Sequence, residues 1–259
     1  MTKKTIYFVL ILFLSIHSSI AQGTFQYSLK GIKQIHLVTD RHVKLKNSEA
    51  DSLLIGHYDG CEGCSSNTYI DRKSKGLRSI YQQGYDISGF ALSIDKRGTT
   101  LYIKDLKQQQ QNISLAFPKN VSIYIKTEKE GKVDGNGISS DMAITTLYGH
   151  VNLKNVSGPL TVNTIQGNVE VVFSSINQKS PTTIVSSYGH IDVTLSKSTK
   201  SNLDLQSRYG AIYTDFMIDL DKNKKADRGG RIVVGKINNG GVKILLNTNQ
   251  GNIYLRQKK

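Results

Sequence analysis

A glycine-centred pattern of alternating apolar and polar residues is repeated five times in the second half of the chain. In every copy, the third residue before the central glycine is Ser or Thr, the fifth before it is aliphatic, and the second after it is β-branched. The copies are Met142–Leu153, Leu160–Val171, Thr182–Val193, Leu203–Thr214 and Ile244–Leu255. Their central glycines, which are 18, 22, 21 and 41 residues apart, are Gly149, Gly167, Gly189, Gly210 and Gly251. This regular spacing predicts an all-β protein in which similar rungs stack on one another.

The inward-facing positions of each copy change parity at the glycine. They fall seven, five and three residues before it, and two and four residues after it. Because the side chains of a strand alternate strictly between two faces, this change predicts a corner at each central glycine. Glycine accepts the backbone angles that a corner or bulge requires, and the Ser or Thr hydroxyl is predicted to bond a nearby backbone group. Stacking in chain order would form two apolar columns, Ile144, Val162, Ile184 and Leu205, and Val151, Val169, Ile191 and Ile212.

The last gap between glycines is twice the usual spacing, which predicts an interrupted sixth copy near Gly230. Only its second half is kept, at Ile232 and Val234, and a charged insertion replaces the first half. Asp219–Gly230 is therefore predicted to be a loop. Within it, Asp219–Asp227 has oxygen ligands at four positions of a calcium-loop spacing, but it lacks the glycine and the bidentate glutamate of such loops. We favour a solvated charged loop over a calcium site, and we expect no cofactor.

The N-terminal 21 residues have the features of a secretory signal peptide. Lys3 and Lys4 precede an apolar run at Ile6–Leu14, and Ser19-Ile20-Ala21 supplies small residues before a predicted cut at Gln22. The alternative is a membrane anchor, but the run is about half of the ~20 residues that a spanning helix needs. We therefore expect export to the periplasm, the outer-membrane surface or the medium, and no transmembrane helix in the mature chain.

The chain is strongly basic, with a formal net charge of +14 that falls to +12 when the two lysines leave with the signal peptide. A basic exported protein is suited to anionic glycans, lipid head groups or another cell-envelope component. No nucleic-acid-binding motif is present, so nucleic acid is not an expected partner. A purely solubilising surface charge is the alternative.

Both cysteines, Cys61 and Cys64, lie in one polar loop. In an exported protein, a pair of cysteines usually forms a disulfide. A redox site of the Cys-x-x-Cys kind would need the first thiolate at a helix N-terminus, whereas glycines and serines surround this pair. A zinc site would need two more ligands, and only His57 is near.

Two sets of outward residues are candidates for a ligand surface. Glu170 and Asp192 lie three residues after their glycines on successive copies, so stacked strands ~4.8 Å apart would bring their carboxylates near the spacing of a retaining glycosidase. Polar residues belong at such positions in any case, and we favour a solvated column. Tyr148, Tyr188 and Tyr209 directly precede their glycines and would form either an aromatic platform for sugar rings or a cover for the corner.

The chain resembles the bacterial family of exported β-strand-repeat proteins known as putative adhesins. The segments that carry the resemblance are Lys30–Ile35, Tyr85–Ile94, Leu115–Val121, Gly235–Gly241 and Thr248–Ile253. The resemblance implies a right-handed parallel β-helix-like solenoid with rungs of about 20 residues. It brings no catalytic residues. Residues 22–130 are then a β region continuous with the solenoid of residues 131–259, although they contain strands without a clear repeat.

These observations favour an exported, non-enzymatic β-solenoid that acts as an adhesin-like or cell-envelope binding module. No serine-hydrolase elbow and no phosphate-binding glycine loop occurs in the chain. One alternative is a carbohydrate-active β-helix enzyme, a hydrolase or lyase that uses Glu170 and Asp192. A second alternative is a scaffold protein of the envelope.

Overall fold

The computed structural model describes residues 23–58, 80–81, 84–106, 111–221 and 231–259. These residues form β-strands and no helices. The strands are β1 (Phe25–Ser28), β2 (Gln34–Val38), β3 (Val43–Ser48), β4 (Ser52–His57), β5 (Ile80–Tyr81), β6 (Gly84–Tyr85), β7 (Leu92–Arg97), β8 (Thr100–Asp105), β9 (Ile113–Pro118), β10 (Ser122–Thr127), β11 (Val133–Asn136), β12 (Met142–Thr146), β13 (Val151–Val156), β14 (Leu160–Thr164), β15 (Val169–Phe173), β16 (Thr182–Ser186), β17 (Ile191–Leu195), β18 (Ser201–Ser207), β19 (Ile212–Thr214), β20 (Asp219–Leu220), β21 (Arg231–Ile237), β22 (Val242–Thr248) and β23 (Ile253–Gln257). The all-β prediction is confirmed for the described residues.

The strands form two large sheets that enclose one apolar core. Sheet A has ten strands in the order β1-β4-β9-β3-β11-β13-β15-β17-β23-β19. Sheet B has eleven strands in the order β20-β21-β18-β22-β16-β14-β12-β10-β2-β8-β7. Strands β5 and β6 form a separate antiparallel pair.

Each repeat contributes one strand to sheet B and, after a corner, the next strand to sheet A. We call such a pair a rung. The rungs β12–β13 and β14–β15 stack in parallel, with Met142 opposite Leu160 and Val151 opposite Val169. Burial alternates along these strands, so that Ile144 and Val162 have no exposed surface while their neighbours face outward. The alternation read from the sequence therefore places one face of each strand in the core.

The rungs do not stack in chain order at the C-terminal end. Strand β22 lies between β16 and β18, with Ile244 opposite Thr182 on one side and Leu203 on the other. Strand β23 likewise pairs with both β17 and β19. The apolar column predicted as Ile144, Val162, Ile184 and Leu205 is therefore wrong in order, because Leu246 lies between the last two.

The interrupted sixth copy, of which the sequence keeps only the second half, does not add a parallel strand to the stack. Strand β21 runs antiparallel to β18, with Val233 opposite Leu205 and Ile237 opposite Ser201. The predicted loop begins with the short strand β20, whose Asp219 lies opposite Lys236. An antiparallel partner along the outer edge of β18 satisfies backbone groups that a missing rung would leave unpaired. Residues 222–230 lie outside the described residues.

Rungs also occur in the first half of the chain, where no repeat was predicted. The pair β2–β3 lies between β8–β9 and β10–β11, in parallel on both sides. Beyond β8 and β9, the antiparallel strands β7 and β4 cover the edges of the two sheets. Because β11 pairs with both β3 and β13, sheet A runs across residue 130 without a break.

The corner between β2 and β3 uses a buried ion pair in place of glycine. The Arg41 guanidinium bonds to Asp105 and donates to the carbonyl of Phe90 at 2.8 Å. The side chain of Arg41 is 1% exposed. Sequence reasoning missed this corner because its residues share no motif with the later ones.

Among the described residues, no helix has the length and apolarity needed to cross a membrane.

Candidate ligand-binding surface

The central glycines lie at the corners, between the sheet B strand and the sheet A strand of each rung. None of the five has a positive φ, so the expected need for unusual backbone angles is wrong. A Cβ atom on Gly189 would lie 2.0 Å from the carbonyl oxygen of Gly167, and one on Gly167 would lie 1.9 Å from that of Gly149. The glycines form a column in which each backbone occupies the space that a Cβ atom on the neighbouring glycine would need. Glycine is required here because the rungs approach too closely for any Cβ atom.

At three of the five corners, the Ser or Thr hydroxyl joins two rungs, through Ser186, Ser207 and Thr248. Ser186 Oγ accepts a hydrogen bond from the backbone N–H of Gly189 at 2.8 Å and donates to the carbonyl of Gly167 at 3.2 Å. Thr248 makes the same pair of bonds to its own glycine and to Gly189. These hydroxyls are buried, and their bonds hold the corners at a fixed spacing.

The residues that directly follow the glycines form a second ladder. The backbone N–H of Asn168 donates to His150 Nδ1 at 3.0 Å, and that of His190 donates to Asn168 Oδ1 at 2.9 Å. The ladder continues from Asn252 N–H to His190 Nδ1 at 2.8 Å and from Ala211 N–H to Asn252 Oδ1 at 2.8 Å. A neutral histidine whose Nδ1 accepts carries its proton on Nε2, so each imidazole keeps a donor for another partner.

The residues that directly precede the glycines are exposed. Tyr148, Tyr188 and Tyr209 are 47%, 50% and 67% exposed. Gln166 lies between Tyr148 and Tyr188, as in chain order, whereas Gln250 lies between Tyr188 and Tyr209 and not after Tyr209. Neighbouring tyrosines are therefore two rungs apart, or ~9.6 Å.

We call these two columns the corner ridge. In spatial order, it consists of Tyr148, Gln166, Tyr188, Gln250 and Tyr209 beside His150, Asn168, His190, Asn252 and Ala211. Its backbone is bonded from rung to rung, as from Tyr188 N–H to the carbonyl of Ile165 at 2.9 Å. The ridge therefore holds its side chains on a rigid support.

The two candidate acids lie side by side on the outer face of sheet A. Glu170 is opposite Asp192 in neighbouring parallel strands. The Nε–H of Arg256 donates a bifurcated hydrogen bond to the two carboxylate oxygens of Asp192, at 2.9 and 3.0 Å, and this bond and the Asp192 charge raise the pKa of Arg256. An ion pair of this geometry occupies Asp192 and leaves Glu170 without a second free carboxylate beside it.

Beyond Asp192, the same outward column continues with two stacked tyrosines. The rings of Tyr254 and Tyr213 are 5.4 Å apart and nearly parallel, at 11°. Chain order had placed Tyr213 before Tyr254, whereas Tyr254 is the neighbour of Asp192.

Sequence reasoning missed an aromatic cluster on the outer face of sheet B. The His36 ring lies 4.4 Å from Tyr124 and 5.2 Å from Tyr102, across three neighbouring strands. Burial lowers the pKa of His36, and the positive charge of Lys126 lowers it further. The three residues are far apart in sequence, and only the period-two alternation of their strands indicated that they face outward.

A shallow groove of about 570 Å³ lies at the C-terminal end of sheet B. Its charged lining pairs internally, Lys243 with Asp204 at 2.9 Å and Lys236 with Asp219 at 3.4 Å. Asp219 and Asp221 belong to the segment considered for calcium, of which residues 222–227 lie outside the described part of the chain. Over the described residues, no group of three or more His, Cys, Asp or Glu side chains is arranged to hold a metal ion.

Two further sequence predictions fall outside the described residues. They are the disulfide between Cys61 and Cys64 and the signal peptide of residues 1–21.

Comparison with known proteins gives a family and one structural likeness. No curated protein matches the chain. A solved structure of a "putative cell adhesion protein" from Clostridium sporogenes is 13% identical, with a TM-score of 0.47, over 91% of this chain and 98% of that one. Residues 125–256, just over half of the chain, match the Toastrack DUF4097 family. This match confirms the resemblance identified from the sequence: the chain belongs to the Toastrack DUF4097 family.

Proposed function

We propose that the protein is an exported, non-enzymatic β-solenoid that binds an anionic glycan of the cell envelope in the manner of an adhesin. The observation that carries the proposal is the corner ridge, where three tyrosines are about half or more exposed on a support bonded from rung to rung. Tyrosine is enriched at interaction surfaces, because one end of its side chain is apolar and the other is polar. Tyrosine combines an apolar ring face with a hydroxyl, which suits a sugar ring with its apolar face and polar edge.

The rigidity of the ridge favours binding. The backbone groups of Tyr188, Gln250 and Tyr209 are hydrogen-bonded to the neighbouring rung at 2.9 to 3.0 Å. A surface that is already ordered loses little conformational freedom when a ligand binds, so more of the contact energy appears as affinity.

The charge of the chain supports an acidic ligand. The mature chain has a formal net charge of +12 after loss of the two lysines of the signal peptide from the +14 total. Arg208 lies 5.3 Å from the Tyr209 ring, and Arg231 donates to the carbonyl of Gly210 at the same end of the ridge. Attraction between exposed charges weakens as salt shortens the Debye length, so binding to an acidic glycan should fall with ionic strength.

An enzyme based on Glu170 and Asp192 is less well supported. A retaining glycosidase needs one carboxyl group as the acid and the other as a free nucleophile. Asp192 is instead held by three contacts of 2.9 to 3.0 Å from the Arg256 guanidinium. Catalysis would first require that ion pair to open.

The proposal includes several finer features. They are a right-handed coil with rungs of about 20 residues, a β region at 22–130 continuous with the solenoid at 131–259, a signal peptide at 1–21, and a Cys61–Cys64 disulfide. The resulting localisation is the periplasm, the cell surface or the medium.

A glycan array with residues 22–259, read for both binding and cleavage, tests this function. We expect acidic glycans to be retained at low salt, released at high salt and not cleaved. Replacing Tyr148, Tyr188 and Tyr209 together by Ala should weaken retention by about tenfold or more, because aromatic anchors dominate such contacts. Tyr102→Ala, on the outer face of sheet B and away from the five corners, is the matched control and should bind normally.

Two results would refute the proposal. One is the absence of any glycan binding at low salt. The other is release of glycan fragments by the wild-type protein that is lost in Glu170→Gln, which would establish the carbohydrate-active enzyme instead.

A further inference from the structure

The corner ridge has a two-rung period that appears only in spatial order. Along the chain, the residues before the glycines read Tyr, Gln, Tyr, Tyr, Gln, and those after them read His, Asn, His, Ala, Asn. In the fold, β22 and β23 lie between the third and fourth copies. The two columns then read Tyr, Gln, Tyr, Gln, Tyr and His, Asn, His, Asn, Ala. Placing the last copy out of order makes Tyr alternate with Gln over all five rungs and His with Asn over the first four.

The unit that repeats has a defined chemistry. Each pair of rungs offers one tyrosine ring, one glutamine amide, one imidazole and one asparagine, as in Tyr148, Gln166, His150 and Asn168. Because the Nδ1 atoms of His150 and His190 accept backbone hydrogen bonds, their Nε2–H groups are left as donors. All of these groups suit a hydroxyl-rich or carboxylate-bearing ligand.

We propose that the corner ridge binds a linear acidic polysaccharide whose repeating unit is a disaccharide, with one tyrosine for each repeat. This inference rests on the proposed function and specifies its ligand class. The polymer lies along the stacking direction, so that it advances by one sugar for each rung of ~4.8 Å. In a polysaccharide with a disaccharide repeat, the same sugar recurs at every second position, which matches the spacing of ~9.6 Å between tyrosines.

The ridge has a defined length. It spans four rung steps from Tyr148 to Tyr209, or ~19 Å. The corner between β10 and β11, on the side of Tyr148, is one residue longer and carries Lys129 and Glu130 in place of an aromatic residue. At the other end, Arg208 and Arg231 adjoin Tyr209 and provide positive charge for sugar carboxylates. Three tyrosines therefore define three contact points for about five sugar units.

Three linked contacts predict a stepwise dependence on ligand length. Once one disaccharide is bound, the next is held at high effective concentration, so each additional tyrosine engaged should raise the affinity by about tenfold or more. Fragments that extend beyond the third tyrosine should gain little further.

The test uses calorimetry with two series of acidic fragments, each of two to ten sugars. Hyaluronan fragments alternate two kinds of sugar, whereas polygalacturonate fragments repeat one sugar. We expect affinity for hyaluronan fragments to rise in steps and then level off, with no such steps for polygalacturonate. The register-shifted double variant Q166Y/Y188Q keeps the same number of tyrosines and glutamines but breaks their spacing. It should lose about as much affinity for long hyaluronan fragments as Tyr188→Gln alone.

The outcomes separate the two proposals. Hyaluronan binding that ignores length, equal steps for polygalacturonate, or a Q166Y/Y188Q variant that binds like the wild type would each overturn the two-rung inference and leave glycan binding standing. No binding of either series at low salt would overturn this inference, whereas the proposed function is decided by the glycan array. Thermal unfolding of each variant, together with the distant control Tyr102→Gln, shows whether a loss of affinity reflects the ridge or the fold.

Discussion

Replacing Gly189 by Ala tests why the corners require glycine. Gly189 lies in the middle of the glycine column, with Gly167 on one side and Gly251 on the other. An alanine Cβ would lie 2.0 Å from the carbonyl oxygen of Gly167 and 2.5 Å from its carbonyl carbon. Both contacts are with backbone atoms, so no side-chain rotation relieves them.

The size of the effect follows from these contacts. The two rungs must separate locally by more than an ångström, and overpacking of this kind destabilises by about 1–3 kcal/mol. The movement also disturbs the two hydrogen bonds of Ser186, each of which contributes about 1 kcal/mol. We therefore expect Gly189→Ala to lower the free energy of unfolding by about 2–5 kcal/mol. At about 2–4 °C for each kcal/mol, the melting temperature should fall by roughly 4–20 °C.

Two other glycines separate steric crowding from backbone strain. A Cβ on Gly23 would meet nothing within 4 Å, so Gly23→Ala should change stability by less than about 0.5 kcal/mol. Gly98 also has open space but a φ of +58°, so Gly98→Ala should cost about 1–2 kcal/mol through strain alone. Urea unfolding followed by circular dichroism measures all three. If Gly189→Ala were as stable as Gly23→Ala, the close-approach explanation of the glycine column would be wrong.

Three further predictions concern side chains of the rungs. Ser186→Ala leaves a buried corner N–H and a carbonyl without their hydroxyl partner, so it should lower the free energy of unfolding in urea by about 1–3 kcal/mol. Ser186→Thr should be nearly neutral, because Thr164 and Thr248 occupy the same position in other copies. His190→Ala should lower the free energy of unfolding by about 1 kcal/mol, because the N–H of Asn252 loses its acceptor. His190→Asn should restore most of this loss, since Asn168 accepts the equivalent bond in the same ladder. Equal losses in both variants would contradict the ladder. Burial lowers the pKa of His36 in the folded state, so the unfolded chain binds a proton at His36 more readily than the folded chain does. The stability that His36 contributes is therefore fully present above the unfolded pKa near 6.5. It is lost as the pH falls from there through the folded pKa. Unfolding at pH 5, 6 and 7 should show this dependence in the wild type and less of it in His36→Gln.

Much of the candidate surface was accessible to sequence reasoning. The alternation around each central glycine located the corners, the buried aliphatic residues and the exposed tyrosines, because a strand's two faces follow directly from its period of two. The role of Gly189 was misjudged, since the crowding by Gly167 comes from a neighbouring rung and leaves no trace in local backbone preference. The cluster of His36, Tyr102 and Tyr124 was missed because its three strands carry no common motif.

Within the five copies, the sequence by itself determined which residues face the core, where the chain turns between sheets and which side chains are exposed. It did not determine the order in which the rungs stack. Every copy presents the same apolar columns and the same hydroxyl and glycine at its corner, so any copy fits beside any other. Only the tertiary structure placed β22 between β16 and β18, where it pairs on both edges while the antiparallel β21 covers the outer edge of β18. That placement makes tyrosine alternate with glutamine along the ridge, because side-chain spacing across a stack depends on the order of the rungs.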